Sequence, residues 1–340
     1  MKMLGRDLAH EVAVIAEIGV NHEGDPEVAS KLLAAAAEAG ADAVKFQSYT
    51  TNRFISSADP ERFARVTRFA LDEAAHRRLA AEAQALGIVF MSSAITEDWV
   101  PLLAELSPVI KIASGDLTFE PVIRAAARTG KQVIISTGCG SLEEIEAAIG
   151  WVRDEIGAEA LPERLALLHC VSAYPAPLEQ CNLLSIPFLS EVTRLVVGWS
   201  NHVVGPDACH AAVALGAPLV EVHVTDRKTG RSFRDHELSF EPHELAALVR
   251  SLRGIRSALG SRGKAASEVE RPVRDAIRKG IVAARELPAG SVLSESDLMF
   301  ARPATEFPAH EFSQLIGARI VDAVPYGALL KRSNVVKKNV

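Results

Sequence analysis

Two histidines, His202 and His223, follow two consecutive apolar runs in LVVGWSNHVVGPDACHAAVALGAPLVEVHVTD, residues 195–226. The stretch reads as strand, turn, small-residue helix and strand. A right-handed crossover between parallel strands sets their carboxyl ends side by side. Ligands of open α/β sheets and α/β barrels bind at that edge. Two imidazoles there, with positions left for water and substrate, suit a divalent metal such as Mn2+ or Zn2+. Two hydrogen-bonded histidines without a metal are the plainer alternative.

Other polar side chains stand at the ends of earlier apolar runs: Glu17, Lys45 with Gln47, Ser92 with Ser93, Lys111 with Ser114 and Asp116, Ser136, Tyr174 and Ser200. Lys45 and Lys111 lie inside AVKF and VIKIA, where an unpaired charge is costly. An anionic ligand offsets that cost, and two lysines with several hydroxyls suit a phosphate and a carboxylate. Internal pairing of the lysines with Glu17 and Asp116 is the competing explanation.

The elements that must position these residues recur in order. Apolar runs at Val12–Ala16, Ala43–Phe46, Ile88–Ser92, Val109–Ala113, Gln132–Ser136 and Leu165–Cys170 precede the two of the opening stretch. Helical segments separate them, opened by signals such as Pro26, Ser141 and Pro242. A polar excursion at Ser48–Thr67 is too long for a simple connection and is expected to lie over the site. Eight strand–helix units predict an α/β fold, a (β/α)8 TIM barrel. A doubly wound sheet is the runner-up, without a GxGxxG after its first strand. The expected domains are a barrel at 1–262, a linker at 263–278 and a small mixed-β domain at 279–340, with short strands and turn signals.

Bulk properties narrow the function. The 37 basic and 43 acidic side chains give a formal charge of −6, which speaks against nucleic acid and against a polybasic membrane surface. No apolar run approaches the roughly 18 residues of a membrane span. Met1 to His10 is polar and charged and does not read as a signal peptide. Cys139, Cys170, Cys181 and Cys209 form no CxxC pair and read as reduced, cytoplasmic cysteines.

The ordered motifs IAEIGVNHEGD, AVKFQ, IKIASGD, IISTG, LLHCVSAYPAP, GWSNH, EVHVT and DHELSFEPHEL resemble the sialic acid synthase family. That family includes N-acetylneuraminate synthase and its legionaminate and pseudaminate relatives. VAARELPAGSVLSESDLMFARP, with LIGARI beyond it, is similar to the family's antifreeze-like (SAF) domain. The resemblance implies that His202 and His223 bind Mn2+, with Mg2+ or Co2+ as substitutes. It implies a phosphoenolpyruvate clamp of Lys45, Lys111, Ser114, Ser136 and Ser200, lined by Gln47 and Ser93. Glu17 and Asp116 match acidic residues near the reacting carbons, and Tyr174 and Asp235 match sugar contacts. Arg302 matches an arginine that reaches the partner's site in a domain-swapped homodimer.

The implied reaction joins phosphoenolpyruvate to an N-acyl hexosamine, giving a nonulosonic acid and phosphate. N-acetylmannosamine is the expected acceptor, and a diacetamido hexose is the alternative. The rivals are a metal hydrolase, disfavoured by the lack of an HxH after the first strand, and a non-catalytic sugar-binding barrel. Two departures bear on the acceptor. Phe233–Arg234 replaces the Gly–Pro that relatives carry before Asp–His, in a loop made basic by Arg227, Lys228, Arg231 and Arg234. Ser172 stands where some relatives have Asn.

Overall fold

A computed structural model describes residues 1–231, 233–304 and 306–336. The chain divides into two compact units, 1–260 and 261–340. In the first, eight parallel strands close into a barrel: β3 (Ala13–Gly19), β4 (Ala43–Ser48), β5 (Val89–Ala94), β6 (Val109–Ile112), β7 (Gln132–Ser136), β8 (Leu165–Cys170), β9 (Val196–Asn201) and β10 (Leu219–His223). Each strand pairs with its neighbour in sequence, and β10 returns to β3. The expected TIM barrel is therefore the fold, and the runner-up open sheet is excluded.

Helices α1 (Pro26–Glu38), α4 (Glu73–Leu86), α5 (Val100–Leu106), α6 (Glu120–Arg128), α7 (Leu142–Ile156), α9 (Ser185–Thr193), α10 (Asp207–Ala214) and α12 (Pro242–Leu259) accompany the barrel strands. Their starts follow the sequence signals. Asp25 accepts from the backbone N–H of Glu27 ahead of Pro26, and Ser141 forms a capping box with Glu144. No described helix is long and apolar enough to cross a membrane.

The strand period of two sorts the side chains. Val14, Ala16, Val44, Phe46, Ile110 and Ile112 pack outward among residues of the helical layer. Ala13, Ile15, Ala43, Met91, Val109, Ile134, Leu168 and Leu219 point inward and form a separate core. That inner core also holds Met3, Leu4 and Leu8. The first ten residues, which carry Lys2, Arg6, Asp7 and His10 among apolar ones, fold as a hairpin of β1 (Lys2–Met3) and β2 (Arg6–Asp7) whose apolar residues close the amino-terminal end of the barrel. Its turn residues Leu4 and Gly5 both have positive φ, 52° and 78°, the turn geometry that matches strand twist.

The excursion after β4 is helical, with α2 (Thr51–Phe54) and α3 (Pro60–Phe69). Two four-residue helices, α8 (Leu161–Arg164) and α11 (Asp235–Leu238), complete the first unit.

In the second unit β11 (Gly280–Ala283) pairs with β12 (Leu298–Ala301), and β13 (Arg319–Ile320) pairs with β14 (Val335–Val336), all antiparallel. Leu287 and Val292, on either side of a Pro–Ala–Gly turn, make only isolated bridges, Leu287 to Val324 and Val292 to Arg319. A core of Ile281, Leu287, Leu293, Phe307, Leu315 and Leu330 holds this unit together. Residues 337–340 of the expected second domain lie outside the described residues.

Candidate active site

The same alternation that builds the inner core places polar residues one layer above it. Two positions beyond Ile15, Ala43, Met91, Val109, Ile134 and Leu219 come Glu17, Lys45, Ser93, Lys111, Ser136 and Glu221. All six are buried. They form the floor of a cavity of about 960 Å³ at the carboxyl ends of the strands. Its upper lining includes Gln47, Tyr174, Ser200, His202, His223 and Asp235.

The floor is an ion-paired layer. Lys45 Nζ lies 2.7 Å from Glu17 Oε2 and donates to Ser93 Oγ at 3.0 Å. Lys111 Nζ donates to Ser136 Oγ at 2.7 Å. Glu221 lies between the lysines, 3.7 Å from Lys45 Nζ and 3.8 Å from Lys111 Nζ. Ser200 Oγ donates to Glu221 Oε1 at 3.0 Å. The internal acid partners of the lysines are thus Glu17 and Glu221. Glu221 does not stand out in the sequence, because VEVH looks like an apolar strand. Its phase would have revealed it, since it stands two residues before His223 and shares its face.

Burial pushes Glu17 up to about 7, with the Glu221 charge adding to the rise and Lys45 opposing it. Burial also disfavours the Glu221 anion, but Lys111, Lys45 and the Ser200 hydroxyl outweigh it and hold the carboxyl down at about 2. Burial, aided by Lys45, lowers Lys111. Burial acts the same way on Lys45, but Glu17 and Glu221 more than compensate and keep it charged.

The two imidazoles lie 5.4 Å apart, centre to centre. Burial drives both toward the neutral form. His202 Nδ1 is 2.6 Å from Val171 O, so it carries the proton and leaves Nε2 a lone pair. His223 Nδ1 is buried without a hydrogen-bond partner among the described residues, 4.0 Å from Asp235 Oδ2. Neutral, partly unpartnered imidazoles are the donors a divalent metal takes, so these residues fit one. No group of three or more His, Cys, Asp or Glu gathers around a metal position among the described residues; two protein donors leave the other positions to water and substrate.

Tyr174 packs against His202 with the rings tilted by 34° and 4.1 Å apart, and meets His223 edge-on at 6.0 Å. The Arg234 guanidinium covers the other part of this wall, 4.6 Å above the Tyr174 ring. Asp235 is pushed up to about 6 by burial, which outweighs Arg234 beside it. Ser114 lines the cavity and accepts from Gly138 N at 3.1 Å.

Two sequence candidates are not brought to this lining. Asp116 ends a short turn of 3-10 helix after β6 and is half-buried, outside the cavity wall. Arg302 lies in the second unit, exposed, before a cis bond to Pro303. The basic loop contributes less than its composition promised. Arg231 pairs with Asp226 and Lys228 with Glu244, and of its four basic residues only Arg234 lines the cavity. The lid supplies cations instead. Arg62, Arg65 and Arg68 of α3 line the cavity, in a segment whose sequence reads only as a polar cover.

Comparison with known proteins gives a consistent result. A model of the NeuB family matches residues 32–264, and one of the SAF domain matches residues 278–336. N,N'-diacetyllegionaminic acid synthase of Campylobacter jejuni is 37% identical over 318 residues, covering 89% of this chain and 94% of its own. N-acetylneuraminate-9-phosphate synthase of Homo sapiens is 33% identical over 337 residues, covering 93% and 90%. The solved structure of N-acetylneuraminic acid (sialic acid) synthetase from Leptospira borgpetersenii superposes with a TM-score of 0.72 at 32% identity, covering 77% of this chain and 90% of that one.

Proposed function

The chain belongs to the NeuB family and ends in a SAF domain, and we propose that it condenses phosphoenolpyruvate with an open-chain N-acyl hexosamine to give a nonulosonic acid and phosphate. The observation that carries this reading is the buried floor on which Lys45 and Lys111 face one cavity beneath two neutral imidazoles. The names of the relatives support a sugar-acid synthase.

The methylene carbon of phosphoenolpyruvate attacks the acceptor aldehyde. Water then adds at C2 of the former phosphoenolpyruvate, and phosphate leaves by C–O cleavage. Lys45 and Lys111 hold the anionic ends of phosphoenolpyruvate, with Ser93, Ser136, Ser114, Ser200 and Gln47 completing the clamp. These donors are fixed before substrate arrives, which is how such a site stabilises developing charge. Glu17, raised to about 7 by burial, is the first candidate to exchange a proton with the adding water or the new hydroxyl. Asp116, also raised, is the second candidate for that role on the family resemblance, although it stands outside the cavity lining. Tyr174 and Asp235 shape the sugar side.

His202 and His223 would hold a divalent metal, Mn2+ or a substitute such as Mg2+ or Co2+. When bound it supplies Lewis acidity to the acceptor carbonyl. Arg302 is assigned to the site of a second copy in a homodimer, on the family resemblance. The four cysteines are free, which suits the cytoplasm, where thiols stay reduced.

The test is phosphate release from phosphoenolpyruvate with Mn2+ or with chelator, across N-acetylmannosamine, its 6-phosphate and diacetamido hexoses. Metal-dependent release with one acceptor establishes the reaction and names the product. Release without any acceptor points to a hydrolase. Silence across the panel, with no metal bound in a direct titration, removes the reading.

A further inference from the structure

Six Lys and Arg side chains line the cavity against three carboxylates, in a chain whose formal charge is −6. The surplus is not on the floor, where Glu17 and Glu221 match the two lysines. It sits at the rim. Arg62, Arg65 and Arg68 recur every three residues on α3, so they share one helix face. None of the three forms an ion pair among the described residues, whereas Arg53 of α2, just before them, pairs with Glu97 and Asp98.

A chain of contacts fixes which wall these cations serve. Arg68 folds over the Phe69 ring at 4.9 Å. Phe69 meets Phe233 edge-on at 5.5 Å. Arg234, next in sequence, lies 4.6 Å above Tyr174, which packs against His202. The Arg68 and Arg234 guanidiniums therefore border the wall of Tyr174 and Asp235, opposite in role to the lysine floor, and Arg62 and Arg65 line the same cavity from the same helix. An arginine held over a ring still has N–H donors to offer a planar or tetrahedral oxyanion.

We infer that α3 and Arg234 form an anion subsite on the acceptor side, and that the acceptor carries a phosphate ester or carboxylate at the end remote from its aldehyde. This rests on the reading of the cavity as a phosphoenolpyruvate-condensing site. A neutral hexose would leave the subsite without a partner. General electrostatic steering of phosphoenolpyruvate is the rival use of the same charges, and it predicts no discrimination between acceptors.

The experiment compares N-acetylmannosamine, its 6-phosphate and the corresponding uronic acid in the intact protein, in Arg65→Gln/Arg68→Gln and in Arg234→Gln. The expected result is a kcat/KM at least about tenfold higher for one charged acceptor, the worth of one charge-assisted hydrogen bond. In the variants the ratio of charged to neutral acceptor collapses by a similar factor, while the KM for phosphoenolpyruvate changes little. The 6-phosphate and the uronic acid separate the two anion sources. Equal use of charged and neutral acceptors overturns the inference. So does a rise in the phosphoenolpyruvate KM with the acceptor ratio intact. If no acceptor releases phosphate, the condensing reaction fails, and calorimetric titration with N-acetylmannosamine 6-phosphate decides the subsite. Binding weakened by the Gln variants supports it, and no binding overturns it. Matched melting temperatures exclude misfolding as the cause.

Discussion

Ser200 Oγ donates to Glu221 Oε1 at 3.0 Å across neighbouring strands β9 and β10. The bond turns the Glu221 carboxylate toward both lysines of the floor, at 3.7 and 3.8 Å. Two buried ammonium groups in one layer are tolerable only with anions beside them. Glu221 is thus a counter-charge that substrate must compete with or share.

Glu221→Gln keeps the shape and removes the charge. Lys45 then retains Glu17, and Lys111 is left with Ser136 and the Ile112 carbonyl. Uncompensated buried charge costs about 3–5 kcal/mol, so the variant is expected to melt well below the parent near neutral pH. Added phosphoenolpyruvate should restore part of the loss, because its anionic groups replace the missing one. A thermal-shift titration checks both effects. An unchanged melting temperature would show that Glu221 is no counter-ion to these lysines.

Gly138 sits where a side chain has no room. A Cβ there would lie 2.3 Å from Ser172 Oγ, 2.8 Å from Ser114 Oγ and 2.9 Å from Cys170 Sγ. Gly138→Ala must therefore displace Ser114, which lines the cavity and accepts from the Gly138 amide. Displacement of one clamp group by about 1 Å can cost about 100-fold in rate. Phosphoenolpyruvate kcat/KM is expected to fall by that order, with a folded circular-dichroism spectrum. Near-normal kinetics would show that Ser114 is not part of the clamp.

At the other end of the barrel the argument concerns stability alone. Met3 and Leu8 are almost fully buried against Ile15, Met91, Ile134 and Leu219. The hairpin is fastened by Arg6 Nε to Asp42 Oδ1 at 2.8 Å and by Gln132 Nε2 to Lys2 O at 2.9 Å. Met3→Ala or Leu8→Ala is expected to lower unfolding free energy by about 2–5 kcal/mol. Activity of the folded fraction should persist, since the floor layer separates these residues from the cavity. Urea melts and turnover measured together check this. A loss of turnover without a loss of stability would contradict it.

The barrel was legible because its strands are buried on both faces and read as unbroken apolar runs between capped helices. The lysines stood out in those runs because charge there is unusual. Glu221 did not, since one acid between two valines leaves VEVH looking like an apolar strand. Only the pairing of β10 with β3 and β9 brings it over Lys45 and Lys111. The hairpin was missed because Met3, Leu4 and Leu8 are too few to show a period. Their burial is decided by the open end of a barrel that does not yet exist at the level of local sequence. The α3 arginines were hidden for a related reason. A helix carrying three arginines and a glutamate in ten residues looks solvated until Phe69 meets Phe233, 164 residues away in the chain, and turns one face inward.

Asp116 gives a pH test with a definite sign. Burial pushes its carboxyl up to about 7, against the pull of Lys111. The unfolded chain releases this proton near the ordinary value of about 3.9. Between those values the folded state holds more protons than the unfolded one, so the group makes stability fall as pH rises through the window. The destabilisation is complete above about 7 and absent below about 4. Asp116→Asn removes it. The variant is therefore expected to melt above the parent at about pH 8, with the gap closing as pH is lowered toward 4. The same residue has a kinetic signature if it takes the proton of the adding water. Single-turnover rates would then rise through about pH 7 in the parent, and Asp116→Asn would lose that limb while Glu17→Gln kept it. The reverse pattern assigns the water to Glu17, and equal small losses in both variants remove the two carboxylates from that step. A melting difference that stays constant from about pH 4 to 8 would show that Asp116 titrates as an ordinary surface acid.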